Sequence, residues 1–176
     1  MIAIIPLGDI PFLEDIKANV EETFCTQARI ERVFLDLSQA YDPYRQQVHA
    51  GTVLRMMDTL PLPGAIKAIL ITDLDLYEHG LNFVFGEARM NGRDAVVSIY
   101  RLRHPDPQVF RERILKEVNH ELGHTFGLGH CPDPTCVMSF SNSIADVDRK
   151  SRHFCPTCRQ FLNEELILLG IEPCQQ

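Results

Sequence analysis

Apolar positions along this chain follow two spacings in turn, and each change of spacing marks a new element. Ala3 to Leu7 is a short unbroken apolar run suited to a buried strand, and Gly8 and Asp9 turn the chain after it. From Pro11 to about Cys25, residues Phe12, Ile16, Val20 and Phe24 return to one face, which predicts an amphipathic helix opened by the proline. Ile30 to Leu37 carries β-branched and aromatic residues and reads as a second strand. Arg45 to Leu60 reads as a helix that turns Val48, Val53, Leu54, Met56 and Met57 inward, its methionines serving as packing. Ala65 to Thr72 is almost entirely apolar, the pattern of a strand covered on both faces. Strand, helix, strand, helix, strand implies right-handed crossovers and a mainly parallel sheet.

The second half breaks that rhythm. Asn82 to Met90 and Arg93 to Leu102 read as strands joined by a tight hairpin at Asn91 and Gly92, so one of them opposes the parallel set. Asp106 caps and Pro107 begins a helix running to about Phe126, with Val109, Phe110, Ile114, Val118 and Leu122 on its inner face. Regular structure then thins until Pro156, where Phe161, Leu162, Leu166 and Leu169 mark a final helix. The expected class is α+β with an α/β-like N-terminal part: a mixed, mostly parallel twisted sheet with an antiparallel edge strand, packed on helices, plus a small C-terminal lobe. One domain is expected, divided into subdomains 1–127 and 128–176.

With 176 residues, 45% of them hydrophobic, the chain can bury one core but not two large ones. A net charge of −7 argues against nucleic-acid partners and acidic membrane surfaces. Arg149, Lys150 and Arg152 form the one tight basic cluster and read as a solvated loop. The opening M-I-A-I-I-P-L has no basic leader and its apolar run stops at Pro6, so neither signal nor membrane span is expected, and a cytoplasmic monomer is the reading.

The chemistry concentrates in residues 120–130, H-E-L-G-H-T-F-G-L-G-H. His120 and His124 lie one helical turn apart and project from one face toward a common zinc ion. Glu121 lies beside them, where its carboxylate reaches water at the metal without filling a ligand position, as a general base must. Gly127 supplies the unusual backbone that ends a helix sharply and lets His130 return as a third ligand. Three neutral imidazoles leave the fourth position of a tetrahedral ion open. Cys131, Cys136, Cys155 and Cys158 follow at once as C-x4-C and C-x2-C pairs, the pattern of a structural four-thiolate zinc site. Two disulfides or unpaired core cysteines are the alternatives, and disulfides need an oxidising compartment. Two zinc ions per chain are therefore expected, one catalytic and one structural.

These two clusters together resemble the archaemetzincins, a branch of the metzincin zinc peptidases. The resembling block is H-E-L-G-H-T-F-G-L-G-H-C, P-D-P-T-C-V-M and, after a gap slightly shorter than the family's, C-P-T-C. The resemblance implies that Met138 forms the methionine turn beneath the metal. It also implies an antiparallel edge strand above the active-site helix that receives substrate backbone, a role that falls by order on Phe83, Val84, Phe85, Gly86, Glu87 and Ala88, with an ordinary edge strand as the alternative. One departure is visible: several metzincin groups carry a tyrosine soon after the turn methionine, and here no tyrosine occurs beyond Tyr100.

The remaining candidates read as bland. His49, His79, His104 and His153 lack ligand spacing and are expected to be exposed, while Cys25 and Cys174 are expected to be free thiols. The function expected is zinc-dependent hydrolysis of peptide bonds in a peptide or protein substrate. The alternatives are a zinc-bound peptide-binding protein with vestigial catalysis, which the retained Glu121 opposes, and a zinc-ribbon interaction module, which the acidic balance opposes.

Overall fold

Strand β1 (Ile2–Leu7) is buried along its first five residues, as an apolar run without alternation demands. It pairs in parallel with β2 (Ala28–Ile30) on one side and β5 (Lys67–Thr72) on the other. Next to β5 lies β8 (Asp94–Ser98), also parallel, and β7 (Gly86–Ala88) closes the edge in the antiparallel sense, giving the order β2-β1-β5-β8-β7. The structure, a computed structural model, describes residues 1–174. Side chains alternate across this sheet and so separate two cores. Ile2, Ile4, Ile69, Ile71 and Val97 pack against Ile16, Val20 and Phe24 of α1 (Leu13–Phe24) and Ile114, Val118 and Leu122 of α3 (Pro107–Thr125). Ala3, Ile5, Leu70 and Val96 face the other way, onto Val53, Leu54 and Met57 of α2 (Ala50–Met57).

Several boundaries differ from the sequence pattern for identifiable reasons. β2 pairs only over Ala28–Ile30, because the chain then leaves the sheet, leaving Phe34 93% exposed and reaching a 3-10 turn at Leu37–Ala40. The second helix begins only at Ala50. His49 takes its N-cap position, with Nδ1 accepting the Thr52 amide at 3.1 Å, and that fixes the start. The residues before it form a small second sheet of β3 (Tyr41–Asp42), β4 (Gln47–His49) and β6 (Leu76–Tyr77). The hairpin between β7 and β8 is wider than expected: the Arg89 amide bonds the Asp94 carbonyl, and Met90 to Arg93 form the loop. After β8 a 3-10 turn at Tyr100–Leu102 replaces the predicted strand end.

Beyond α3 a short helix, α4 (Ile144–Arg149), is set by a reciprocal capping box between Ser143 and Asp146. Helix α5 (Pro156–Leu168) starts where expected, with Cys155 as its N-cap and Cys158 in the first turn. Cys25 and Cys174 are not free thiols: they form a disulfide across 149 positions of sequence. Cys25 ends α1 in the left-handed region (φ 56°), and the tail after α5 returns across that helix end, bringing the Cys174 amide within 2.8 Å of Cys25 Sγ. Helical periodicity cannot reveal such a docking.

Candidate metal centre and active site

Helix α3 carries the first two histidines, and its termination positions the third. Gly127 adopts φ +94°, its amide donates to the His124 carbonyl at 2.9 Å, and the Leu128 amide donates to the Gly123 carbonyl at 3.1 Å, the Schellman pattern. Neither bond was specified by the histidine spacing, but Gly127 was the signal for both. The chain then doubles back, and the rings of His120 and His124 come to 5.5 and 5.0 Å from that of His130.

Backbone carbonyls fix the tautomers. His120 Nδ1 donates to Val137 O and His124 Nδ1 to Leu128 O, both at 2.7 Å, so each Nε2 presents a lone pair. Those two Nε2 atoms are 3.1 Å apart, with no proton left to join them. Two lone pairs at that separation suit a shared cation, since tetrahedral ligands about 2.0–2.1 Å from zinc lie roughly 3.3 Å apart. The one ligand nitrogen each of His120, His124 and His130 offers lies within 4.8 Å of the others. Burial foremost holds all three imidazoles below their ordinary pKa and hence neutral, with a contribution from the Lys150 charge.

Lys150 was read as part of a solvated loop, and the structure corrects this. Its side chain is fully buried, with Nζ 3.0 Å from Glu117 Oε1 and 3.4 Å from the Ser139 carbonyl. It also approaches His120 Nδ1 at 3.5 Å, but that nitrogen already donates to Val137 O, so the contact is an electrostatic neighbour and not a hydrogen bond. α4 ends just before Lys150 and turns it inward, a consequence of the capping box that the basic cluster itself concealed.

Glu121 faces the edge strand. A Cβ on Gly86 would lie 2.8 Å from Glu121 Cγ and 2.6 Å from the Val96 carbonyl, so the absence of a side chain there makes room for the carboxylate. Burial, then the charge of Glu117, pushes the Glu121 carboxyl well above its usual range. Above it opens a cleft of 360 Å³. Phe83 to Ala88 form one wall, Phe140 to Asn142 the other, and His120, Glu121, His124, His130 and Glu117 the floor. Among the described residues lining it there is no tyrosine. Met138 is fully buried directly beneath, its Sδ 2.5 Å from where a Cβ on Gly123 would stand.

The four cysteines Cys131, Cys136, Cys155 and Cys158 are brought together and remain unpaired, their sulfurs within 4.8 Å of one another. Cys131 Sγ and Cys155 Sγ are 3.8 Å apart, too far for a disulfide and close to the spacing of thiolates about 2.3 Å from a tetrahedral zinc. Amides point at the sulfurs: Cys155 and Met138 donate to Cys136 Sγ at 3.3 and 3.5 Å, and Cys158 donates to Cys155 Sγ at 3.5 Å. The Cys158 amide foremost draws the Cys155 thiol below its usual range, whereas burial pushes Cys136 and Cys158 above theirs. The Cys131 amide bonds the Met138 carbonyl at 2.9 Å, which joins this cluster to the histidine site.

Of the remaining histidines, His104 and His153 are exposed as expected. His49 is not: it is 8% exposed and hydrogen-bonded at both ring nitrogens, a burial its sequence neighbours gave no sign of. No helix among the described residues is long and apolar enough to cross a membrane.

Known proteins share both the sequence and the arrangement. The profile of Peptidase family M54 matches residues 9–164. The Archaemetzincin of Methanopyrus kandleri is 47% identical over 165 residues, covering 90% of this chain and 93% of its own. The Thermococcus kodakarensis Archaemetzincin is 40% identical, with 96% and 99% covered. The crystal structure of the Archaeoglobus fulgidus Archaemetzincin, complexed with malonate, superposes with a TM-score of 0.80 at 38% identity, covering 91% of this chain and 98% of that one. With the three-histidine helix end, the adjoining cysteine cluster and the sheet order all in place, the chain belongs to Peptidase family M54, the archaemetzincins.

Proposed function

We propose that this metallopeptidase hydrolyses peptide bonds with zinc held by His120, His124 and His130 and with Glu121 as general base. A second zinc, held by Cys131, Cys136, Cys155 and Cys158, would be structural. The observation that carries the catalytic reading is the pair of lone-pair nitrogens 3.1 Å apart, both tautomers fixed from behind, on the floor of an open cleft. Zinc, when bound, supplies a Lewis acid that polarises the scissile carbonyl and acidifies water.

The residues do the rest. Glu121 takes the proton of the attacking water and delivers it to the leaving amine; its buried setting raises proton affinity and keeps competing solvent away. β7 aligns the substrate. Phe85 and Arg89 spend their backbone groups on β8, so by alternation Gly86 and Ala88 turn theirs toward the cleft, where an extended peptide can pair with them as an added strand. Met138 and Val137 support the histidines from below, and the cysteine cluster fastens the 128–176 subdomain that carries His130. Phe140, 58% exposed with its ring 5.2 Å from that of His130, offers an apolar surface to a substrate side chain.

The test is to incubate metal-loaded protein with a diverse peptide mixture and read new termini by mass spectrometry. Cleavage should disappear with a chelator and with Glu121→Ala. In Glu121→Gln, turnover should fall by about 10² to 10⁴ while zinc occupancy measured in the same sample stays near that of wild type. Wild-type turnover in the zinc-loaded variant would remove Glu121 from the mechanism.

A further inference from the structure

Opposite the cleft, on the other face of β7, three potential ligands converge beside a second carboxylate, none of them belonging to the histidine or cysteine cluster described above. β4 and β6 run in parallel with His49 paired to Tyr77, which places Glu78 and His79 beside His49. His49 Nε2 is 2.5 Å from Glu78 Oε1, and the His49 and His79 rings are 4.4 Å apart. Ligand atoms of these three residues lie within 4.8 Å of one another, a distance that rotation of the exposed His79 can close. Glu87 comes from β7 to the Gly51 side of Glu78: a Cβ on Gly51 would have Glu78 Oε2 at 3.1 Å and Glu87 Oε2 at 3.6 Å.

We propose that His49, Glu78 and His79, joined by Glu87, form a third metal site that binds a divalent transition-metal ion such as Zn2+. Two imidazoles and carboxylate oxygen are a donor set suited to that class. The ordinary explanation is helix capping, since Glu78 Oε2 accepts the Gly51 amide at 3.2 Å and His49 Nδ1 accepts the Thr52 amide. Capping, with the His49 Nε2 bond to Glu78, accounts for one carboxylate and one imidazole. It leaves unexplained why a second carboxylate is brought against the first and why the His79 ring lies against that of His49. Like charges so placed repel unless a proton or a cation lies between them. The nearby arginines are engaged elsewhere, Arg89 with Asp58 and Arg55 with Thr52 Oγ1, each at 2.9 Å.

The tautomer can adapt. His49 Nδ1 also lies 2.8 Å from Thr52 Oγ1, so in the other tautomer Nδ1 gives up the bond it accepts from the Thr52 amide and donates to this hydroxyl instead, leaving the Nε2 lone pair for the ion with Thr52 orienting the ring from behind. An ion at this point would brace the substrate-facing strand from its far side, because Glu87 follows Gly86.

Full-length protein saturated with zinc should be dialysed against buffered Zn2+ and its metal content measured. Wild type is expected to hold one more equivalent than His79→Ala or Glu78→Gln, and its melting temperature to rise on filling that equivalent, a rise absent in His79→Ala. His79 is exposed, so its truncation leaves the fold intact. Thr52→Val is expected to retain the site with affinity weakened about 10- to 100-fold. Equal zinc content in wild type and His79→Ala, with no added melting shift in wild type, would overturn the proposal.

Discussion

Lys150 and Glu117, with side chains 0% and 3% exposed, place an ion pair directly behind His120. Breaking one half of such a pair strands a charge in the interior, so Lys150→Met should destabilise the fold by about 3–5 kcal/mol. Adding Glu117→Leu should recover most of that loss in denaturant titrations; a double mutant as unstable as the single would show that the pair is not the cause. At Glu87, burial and the hydrogen bond and repulsion from Glu78 raise the carboxyl from 4.5 to about 8. For Glu78 burial acts upward, yet hydrogen bonds from Glu87, the His79 amide and His49 draw it down to about 2. Without an ion between them, the folded protein keeps a proton on Glu87 that the unfolded chain loses. The stability this supplies is full below pH 4.5 and declines as pH rises toward 8. Arg89 and Arg55 temper it without reversing it. Glu87→Gln, studied at a zinc concentration that leaves this cluster empty, should therefore melt like wild type near pH 5 and above it near pH 8.5. At this scale the clustering of the three histidines and of the four cysteines was legible because the short spacings within each group are fixed in sequence. Lys150, Glu117 and His49 act through neighbours distant in sequence, which no local pattern encodes.

Helix α3 ends in a knot of backbone contacts that also holds the cleft wall. Asn91, at φ 57° in the hairpin loop, donates its amide to the His124 carbonyl at 2.9 Å. Lys67 Nζ reaches from β5 to the Gly92 and Thr125 carbonyls at 2.7 and 2.6 Å. The β7–β8 hairpin and helix α3 are thus tied together at the His124 carbonyl. Gly86 is where they approach most closely. A methyl at that position meets a backbone oxygen, which cannot rotate away, so Gly86→Ala should displace β7 and Glu121 together. Peptide turnover should fall at least tenfold while zinc content stays near that of wild type; unchanged turnover would separate β7 from catalysis. The elements that announced themselves, β1, α1, β5, α3 and α5, are long enough for a period to accumulate. β3, β4 and β6 span two or three residues each, too few for alternation to register, and they also concealed where α2 begins.

Across the whole molecule, one face of the sheet bears α1 and α3 and the other bears α2 with the small second sheet. The segment after α3 has little core of its own. Val147, Leu162 and Leu166 pack onto the α3 side, with the four clustered cysteines beside them. Cys155→Ser should loosen this segment first, seen as accelerated hydrogen exchange from residue 131 onward with the central strands still protected. Uniform loss of protection would make the cluster a support of the entire fold. Sheet class was legible from element order, whereas the division of the interior into two cores and the return of the C-terminal tail to α1 were not. That return has a topological meaning. The covalent link from Cys25 to Cys174 makes nearly the whole polypeptide a closed ring. A peptidase built as a ring tolerates one cut in its own backbone: a nick anywhere between those residues leaves both pieces attached, and they part only when the link is reduced.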